Sequence, residues 1–390
     1  MNIPVQNCSS CAACANVCAR NAISMRLDAE GFYRPVIDAE KCVECGACER
    51  VCPWSKDVLN PNGAETKPQT VAAYVKDETV RMQSSSGGIF TVLAENIVDC
   101  GGAVIGVAQT GPVSFEHIVV ENKSDLAKLR GPKYVQAQVG FIYRTVRELL
   151  RSGRKVLFSG TPCQIAGLYA YLGNAANAEN LFTVEIVCYG IPSVKVFEKY
   201  IHDLEVSRNA TFENVLFRDK SRGWNNYSLI YKFNDGNTYN VHHGKSNYMN
   251  LFLNRICQNK SCDECRYRKF PRIADITLGD FWGVSNYHPE MDDNKGTSVV
   301  LLNTTPGSML FKSVADKVVQ CDSKVENAIA GNPCIVSSTK AHPKRSEFLA
   351  DLDKCTFDQL VKKYCPEPSP LMRLYYGIRC FLGNIKQKVF

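Results

Sequence analysis

Short apolar runs alternate with amphipathic stretches through most of the chain, as expected when strands and helices take turns. Apolar positions recur at helical spacing over residues 89–99 and 139–150, and a short helix is predicted to open at residue 124. Compact apolar runs predict buried strands over residues 103–108, 117–121, 155–158, 181–187, 274–278 and 298–302. The pattern predicts an α/β class with some antiparallel pairing, that is, an α+β mixed core.

Two hairpins are predicted. Residues 227–233 and 238–242 alternate in polarity on either side of Asp235-Gly236, a dipeptide typical of tight β-turns. Residues 21–38 predict a shorter hairpin near the start of the chain. The last 25 residues carry four Lys or Arg and one Glu, and their apolar spacing predicts an amphipathic helix that docks on the core rather than on a membrane.

Changes in composition divide the chain into four segments. Residues 1–55 are rich in cysteine, and residues 56–70 contain the Asn, Pro and Gly typical of a linker. Residues 71–365 carry the α/β pattern, and residues 366–390 form the basic tail. We therefore predict a small ferredoxin-like domain followed by one large domain.

Cysteine is the unusual feature of the composition. The chain has 390 residues and 19 cysteines, eight of them in the first 55 positions. The first residues form neither the basic nor the apolar part of a secretory signal, and no run approaches the roughly 18 apolar residues of a membrane span. We expect a cytoplasmic protein whose thiols bind metal or serve redox chemistry rather than form disulfides.

The formal charge changes this picture little. The 46 Lys and Arg exceed the 39 Asp and Glu by +7, and they are spread too evenly to indicate a nucleic-acid surface. A cubane held by four thiolates has a charge of about −2, so bound clusters would neutralise much of this excess.

The first eight cysteines form two runs of the pattern C-x2-C-x2-C-x3-C. This spacing is typical of paired 4Fe-4S clusters, in which the fourth cysteine of each run ligates the other cluster. Paired zinc sites are the alternative, but zinc favours more widely separated C-x2-C pairs. One predicted ligand set is Cys8, Cys11, Cys14 and Cys52. The other is Cys42, Cys45, Cys48 and Cys18.

A third group of cysteines follows in the large domain. Cys257, Cys262 and Cys265 lie close together in sequence, whereas Cys163 and Cys188 each follow a predicted strand. We expect Cys163, Cys188, Cys262 and Cys265 to hold a third 4Fe-4S cluster, with Cys257 as a competing or neighbouring ligand. A zinc site and free structural thiols are the alternatives. Six other cysteines occur singly and are expected to pack as small apolar side chains.

Two segments suit a phosphate-bearing ligand. Residues 84–88 read Ser-Ser-Ser-Gly-Gly before a predicted helix, where free backbone N–H groups and a positive helix end attract anions. Residues 159–164 repeat this arrangement at the carboxyl end of a strand, where ligands collect in open α/β sheets. No Walker, G-x-G-x-x-G or Ser-His-Asp arrangement occurs in the sequence, which argues against an NTPase, a Rossmann-type dehydrogenase and a hydrolase.

Four motifs occur in a recognisable order. They are Ser-Ser-Gly-Gly at residues 85–88, Leu-Arg-Gly-Pro-Lys-Tyr-Val-Gln at 129–136, Gly-Thr-Pro-Cys-Gln at 160–164 and Gly-Asp-Phe-Trp-Gly at 279–283. With them, the chain resembles the coenzyme F420 (deazaflavin) hydrogenase/dehydrogenase beta-subunit family, in the bacterial form with an N-terminal two-cluster ferredoxin domain. It departs from the family at Pro132 and Ala137, where Ser is frequent, and at Tyr189, where many bacterial members have His.

The resemblance implies an oxidoreductase that binds FAD beside an iron–sulfur cluster. It would pass electrons from ferredoxin-type clusters to FAD and on to a deazaflavin or other organic hydride acceptor, or the reverse. A ferredoxin or another redox protein is the expected partner, and cell-surface polysaccharide metabolism the expected setting. The alternatives are an electron-transfer subunit serving a separate catalytic partner and an iron–sulfur sensor or scaffold. The residues expected to bind the cofactor are Ser85, Ser86, Gly87, Gly88, Lys133, Tyr134, Gly160, Thr161, Gln164 and Asp280.

Overall fold

The computed structural model describes residues 7–338 and 340–366. Apart from residue 366, the predicted tail helix lies outside the described residues. The strands, in chain order, are β1 (Ile23–Leu27), β2 (Tyr33–Ile37), β3 (Gln69–Val75), β4 (Ala103–Gln109), β5 (Phe115–Val120), β6 (Val156–Gly160), β7 (Leu181–Ile186), β8 (Phe212–Asp219), β9 (Ser228–Phe233), β10 (Thr238–His242), β11 (Ile276–Asp280), β12 (Ser298–Leu302) and β13 (Val318–Ser323).

The helices are mostly short. The α-helices, in chain order, are α1 (Ala13–Val17), α2 (Ala47–Arg50), α3 (Glu78–Met82), α4 (Ile89–Asp99), α5 (Ile142–Arg151), α6 (Pro162–Leu172), α7 (Val194–Arg208), α8 (Asn247–Leu253), α9 (Thr305–Lys312), α10 (Val325–Gly331), α11 (Arg345–Ala350) and α12 (Phe357–Tyr364). The helix predicted to open at residue 124 is a 3₁₀ segment, Lys123–Leu129.

A mixed sheet of eight strands forms the centre of the large domain. Its order is β13-β3-β12-β11-β7-β6-β4-β5, with parallel pairing from β4 through β6 and β7 to β11 and antiparallel pairing elsewhere. The central strands are buried and apolar because helices cover the sheet, and β12 is buried along its whole length. The predicted α/β class with antiparallel additions is confirmed.

A separate three-stranded sheet, β10-β9-β8, packs on helix α7 and the segments around it. Its core is aromatic: Phe197 lies against Phe115, Phe217 and Tyr248, with ring centroids 5.2 to 5.9 Å apart. Such contacts suit edge-to-face packing and hold the smaller sheet to the edge of the large one. The sequence predicted the β9–β10 hairpin but missed strand β8 and helix α7.

The topology brings the predicted motifs to one edge. Strands β6, β7 and β11 are parallel, so the residues after Gly160, Ile186 and Asp280 emerge on the same side. Strand β3 runs in the same direction as β11, because each is antiparallel to β12, and it leads through α3 to Ser84–Gly88. The Val75 amide donates to the Gly87 carbonyl and fixes that loop against the end of β3.

The predicted linker is tied to the large domain. The Asn60 side chain donates to the carbonyl of Ile273, and Asn62 donates to the carboxylate of Asp275 at 3.0 Å. Asp275 also accepts from Thr183, so one buried carboxylate joins the linker to strand β7. No helix among the described residues is long and apolar enough to span a membrane.

Candidate functional site

The two N-terminal cysteine runs fold into matching loops. Before the second cysteine of each run, Ser10 and Glu44 adopt left-handed backbone conformations with φ of 59° and 51°. Their amides donate to the sulfur atoms of Cys8 and Cys42, at 3.3 and 3.4 Å. Amide donors aimed at sulfur are a feature of iron–sulfur ligand loops, so both loops suit a cubane.

Left-handed residues also follow the second cysteine of each run. Ala12 and Gly46 have φ of 58° and 67°, and each begins a short helix, α1 or α2, that carries the third cysteine inward. The repeat of two unusual backbone conformations at equivalent positions shows that the two loops share one geometry. Zinc knuckles of the C-x2-C type do not require three thiols on one such loop.

The sulfurs of Cys8, Cys11, Cys14 and Cys52, one predicted ligand set, lie near one another. Burial raises the pKa of Cys14 to about 12, and the neighbouring sulfurs of Cys8 and Cys52 raise it further. Burial likewise raises the pKa of Cys11, with Cys8, Cys14 and Cys52 adding to the effect. Burial and neighbouring sulfurs both disfavour the thiolate forms of Cys11 and Cys14, so a metal centre is needed to hold these side chains as thiolates. Cys45 of the other group is exposed, so this end of the module faces solvent.

The dicluster module docks on helices α5 and α6. Arg144 donates to the carbonyls of Ala15, Asn16 and Cys18 at 2.8 to 3.1 Å, and to the Asn21 side chain at 2.7 Å. On α6, Gly167 faces Cys11 so closely that a Cβ atom there would lie 2.9 Å from the Cys11 Cβ. The ligand loop of the first group therefore lies directly on helix α6, which has Cys163 in its first turn.

The structure brings together four cysteines of the large domain. Cys163, Cys188, Cys262 and Cys265 line one small cavity under the start of α6. Burial raises the pKa of Cys262 to about 12, and the sulfurs of Cys163 and Cys265 oppose its ionisation further. The amide of Ile191 donates to the Cys262 sulfur at 3.4 Å. Four thiols around one space, with an amide aimed at sulfur, suit a metal cluster.

Cys257 is not part of this group. It is fully buried in the aromatic core, and Cys365 is the other cysteine that affects its pKa, which burial raises to about 12. It is close to Cys262 in sequence, but the chain turns away through Asn259 and the 3₁₀ segment Lys260–Cys262. The structure thus separates Cys257 from the thiols it was expected to join.

A larger cavity of about 400 Å³ opens beside the four thiols, at the sheet edge where the strands end. The two cavities share Cys188, Ile191 and Cys334 in their walls. Nine of the ten predicted cofactor residues line the larger one, and they are Ser85, Ser86, Gly88, Lys133, Tyr134, Gly160, Thr161, Gln164 and Asp280. Gly87 lies behind this wall, where a Cβ atom would be 2.4 Å from the Ala73 carbonyl.

Two helices begin at this cavity. Helix α6 is capped by a reciprocal pair of hydrogen bonds between Thr161 and Gln164, whereas no side chain caps the start of α4. The N–H groups at the start of α4 therefore remain available beside the Ser84–Gly88 loop, an arrangement that suits phosphate oxygens. The cavity size lies within the range of small-molecule and cofactor sites.

Sequence reasoning missed Arg218, which lies on strand β8 and lines the same cavity. It forms an ion pair with Asp280, at 2.5 Å, and Asp280 also accepts from the indole of Trp224 at 3.0 Å. Burial opposes the charge of Arg218, but Asp280 raises its pKa. The Gly-Asp-Phe-Trp-Gly motif pointed to Asp280, whereas Arg218 stands in no motif, so no sequence signal marked it.

Comparisons with known proteins agree with this geometry. Residues 70–142 and 153–326 match the models of the coenzyme F420 hydrogenase/dehydrogenase beta subunit, N-terminal and C-terminal parts. Residues 7–56 and 34–86 each match a 4Fe-4S dicluster domain model. No curated protein matches the chain.

Solved structures also match. One is a chain of the F420-reducing [NiFe] hydrogenase complex from Methanosarcina barkeri, at 20% identity and a TM-score of 0.47, over 78% of this chain and 94% of that one. The two beta-subunit models together span more than half of the chain. The chain therefore belongs to the coenzyme F420 hydrogenase/dehydrogenase beta-subunit family, and it is an iron–sulfur electron-transfer protein with a 4Fe-4S dicluster domain.

Proposed function

We propose that the chain is an FAD- and 4Fe-4S-dependent oxidoreductase. It passes electrons between its dicluster module, a third cluster and FAD, and from there to a deazaflavin or other organic hydride acceptor, or in the reverse direction. Iron–sulfur clusters carry single electrons and a flavin handles one or two, so together they would connect a one-electron donor to a two-electron acceptor.

The order of the sites along one path carries this proposal. Cys45 is exposed at one end of the module, and Cys11 at the other end touches helix α6. That helix begins with Pro162 and Cys163 at the four-thiol cavity, whose wall is shared with the larger cavity through Cys188. The sites therefore follow one another in direct contact: first the exposed end of the module, then two inner thiol sites, and then the ligand-sized cavity.

Cys163, Cys188, Cys262 and Cys265 are the proposed ligands of the third cluster, and Cys257 is omitted. Arg268 lies against this site and donates to the carbonyls of Cys188 and Tyr189. Its charge lowers the pKa of Cys188 against the larger effect of burial, which raises it. The arginine thus supplies positive charge where four thiolates would otherwise repel one another.

FAD is proposed to occupy the larger cavity. The start of α4 and the Ser84–Gly88 loop offer N–H and hydroxyl groups suited to its phosphates. Lys133 fixes the facing loop, since its ammonium donates to the carbonyls of Lys128, Arg130 and Gly131 at 2.8 to 3.2 Å. Leu129, Ile186 and Phe252 line apolar parts of the wall, which exclude water from the bound ring.

The exposed end of the module is the proposed docking site for a ferredoxin or another redox protein. Val43 is 62% exposed there, two residues before the exposed Cys45. This exposure also favours the second candidate, an electron-transfer subunit that serves a separate catalytic partner. A link to cell-surface polysaccharide metabolism rests on the family resemblance alone.

Anaerobic purification followed by iron, sulfide and flavin quantification tests the proposal. We expect about twelve irons, as many sulfides and one FAD per chain. The reduced protein is then mixed with a deazaflavin, a quinone and a ferredoxin in separate experiments, and reoxidation of the flavin absorbance is followed. Turnover of an organic acceptor by the chain alone supports the oxidoreductase, whereas turnover that requires a second protein supports the subunit. About eight irons and no flavin would contradict the proposed third cluster and FAD.

A further inference from the structure

Three basic side chains lie at or beside the larger cavity, of which Lys220 and Arg218 are buried and Lys133 is partly buried, and they differ in how fully they are paired. The ammonium groups of Lys133 and Lys220 each donate to three backbone carbonyls, which uses every N–H they have. Arg218 is 4% exposed, and only its Nη1 has a partner, the carboxylate of Asp280. Its Nε and Nη2 atoms are buried without a hydrogen-bond partner.

The two unpaired nitrogens form one edge of the planar guanidinium. Nε–H and the adjacent Nη2–H point in parallel, and this is an edge with which arginine binds the two oxygens of a carboxylate or phosphate. Leaving buried donors of a charged group unpaired is unfavourable, because their lost hydration is not replaced by a hydrogen bond. The free edge therefore needs an acceptor, and Arg218 faces a ligand-sized cavity.

The surroundings fix the plane of this guanidinium. Its central carbon lies 4.4 Å from the ring centroid of Tyr227 and 5.2 Å from that of Trp282. Asp280 holds Nη1, and the indole of Trp224 holds Asp280 in turn. The orientation of the free edge is therefore set before any ligand arrives, which lowers the entropic cost of binding.

Tyr134 adds a second polar group at the same place. Its side chain lines the cavity, and its hydroxyl lies beside the Arg218 guanidinium, which affects the pKa of the phenol. Burial raises the pKa of Tyr134, while the nearby charge of Arg218 acts against this increase. The phenol is thus a neutral O–H donor close to the guanidinium, although it does not satisfy the free edge.

The charge of the cavity wall favours an anion as well. Among the described residues that line it, Arg130, Lys133 and Arg218 are the basic side chains, and Asp280 is the acidic one. Asp280 is already engaged on the far side of Arg218. Burial lowers the pKa of Lys133 to about 7, but Arg130 and Arg218 alone outnumber Asp280, so positive charge remains in excess on the wall and points to a negatively charged ligand group.

We propose that the Nε/Nη2 edge of Arg218, together with the Tyr134 hydroxyl, forms an oxyanion-binding subsite that takes a carboxylate or phosphate group of the cavity's ligand. This inference deepens the proposed function and rests on it only for the nature of the ligand. The oxyanion has two possible sources, the phosphates of FAD and an acidic group on the organic acceptor.

Calorimetric titration of the anaerobically purified full chain tests the subsite. Arg218→Lys keeps the charge beside Asp280 but lacks the forked edge, and Tyr134→Phe removes only the hydroxyl. Arg154→Lys is the matched control, because this partly exposed arginine pairs with Glu121 and does not line the cavity. Each protein is titrated with FAD, with riboflavin, which has no phosphate, and with inorganic phosphate after loading with FAD.

The two sources give different results. If the edge takes a phosphate of FAD, Arg218→Lys weakens FAD binding about tenfold or more and leaves riboflavin binding unchanged. If it takes an acidic group of the acceptor, FAD binding is unchanged, and inorganic phosphate binds the FAD-loaded wild type about tenfold more tightly than the variant. Tyr134→Phe should weaken the same titration less, and Arg154→Lys should match the wild type.

The subsite is wrong if Arg218→Lys keeps both FAD and phosphate affinities within about twofold of the wild type while its unfolding midpoint is unchanged. A wild type that binds no flavin would instead contradict the proposed function. Phosphate titration of that flavin-free chain, compared with Arg218→Lys, would still decide whether Arg218 binds an oxyanion. The two failures are therefore distinguishable.

Discussion

Gly167 decides how closely the dicluster module approaches the large domain. It lies within helix α6, and an alanine Cβ there would be 2.9 Å from the Cβ and 3.1 Å from the sulfur of Cys11. The hydroxyl of Tyr143 would be 3.0 Å away on another side. Carbon atoms in contact are normally about 3.5–4.0 Å apart, so Gly167→Ala must push the Cys11 loop back by roughly 0.6 Å or more.

Two opposing effects determine the size of the change. Replacing glycine by alanine inside a helix normally gains about 1 kcal/mol of stability. Forcing an extra carbon into a packed contact costs about 1–3 kcal/mol, and the upper part of that range applies because Cys11 and Tyr143 are both buried. We expect a net loss of about 1–2 kcal/mol for Gly167→Ala, and a larger loss for Gly167→Val, whose branched side chain adds a further clash.

Urea unfolding under anaerobic conditions, followed by the visible absorbance of the clusters and by far-UV circular dichroism, measures this loss. Ala170→Gly is the control, because it reports the helix preference of the same helix without the Cys11 contact. Iron release to a chelator should be faster in Gly167→Ala than in the wild type, since the displaced loop carries Cys11. If Gly167→Ala gains about 1 kcal/mol, as the helix preference alone requires, the tight contact between module and helix is refuted.

Three further predictions concern other parts of the path. Arg144→Ala removes four hydrogen bonds between α5 and the module, so we expect the free energy of unfolding to fall by about 2 kcal/mol and residues 1–55 to be proteolysed faster. Arg151→Ala, at an exposed position of the same helix, is the control and should behave as the wild type. Cys262→Ala should leave about eight irons per chain, whereas Cys257→Ala, equally buried, should keep about twelve; equal iron contents would contradict the ligand set. Burial lowers the pKa of His117 to about 4, so the folded state disfavours the protonated imidazole. The free energy of unfolding should therefore fall by up to about 3 kcal/mol as the pH drops from 6.5 toward 4. In denaturant titrations His117→Phe should reduce this dependence of stability on pH, and an unchanged dependence would contradict the role of His117.

The local features of the site and the position of the motifs at strand ends could be predicted from the sequence. The two C-x2-C-x2-C-x3-C runs predict ligand loops because their chemistry is encoded in spacing, and both loops have the matching geometry. Residues 159–164 and 279–283 were predicted to end strands, and parallel pairing of β6, β7 and β11 brings those ends to one edge. The boundaries of α4 and β12 were predicted to the residue, because a clear apolar pattern ends there at glycine and polar residues.

Sequence reasoning failed where long-range packing decides. Cys257 stands five residues from Cys262, so spacing alone groups them, yet the turn through Asn259 sends Cys257 into the aromatic core. Strand β8 was missed because its buried and exposed positions do not alternate, owing to the register shifts in its pairing with β9.

Arg218 is the most informative residue of the cavity, yet no sequence motif or pattern marks it. Its neighbour Phe217 is buried as well, so the segment shows no polar face that would mark a functional arginine. What distinguishes Arg218 is a relation among distant residues: Asp280 takes one end of the guanidinium, and the rings of Tyr227 and Trp282 hold its plane. The Nε/Nη2 edge is free because no neighbouring group among the described residues accepts a hydrogen bond from it. This can be recognised only when the positions of all neighbouring residues are known. The same reasoning separates Arg218 from Lys133, which is equally cationic in sequence but fully paired in the fold.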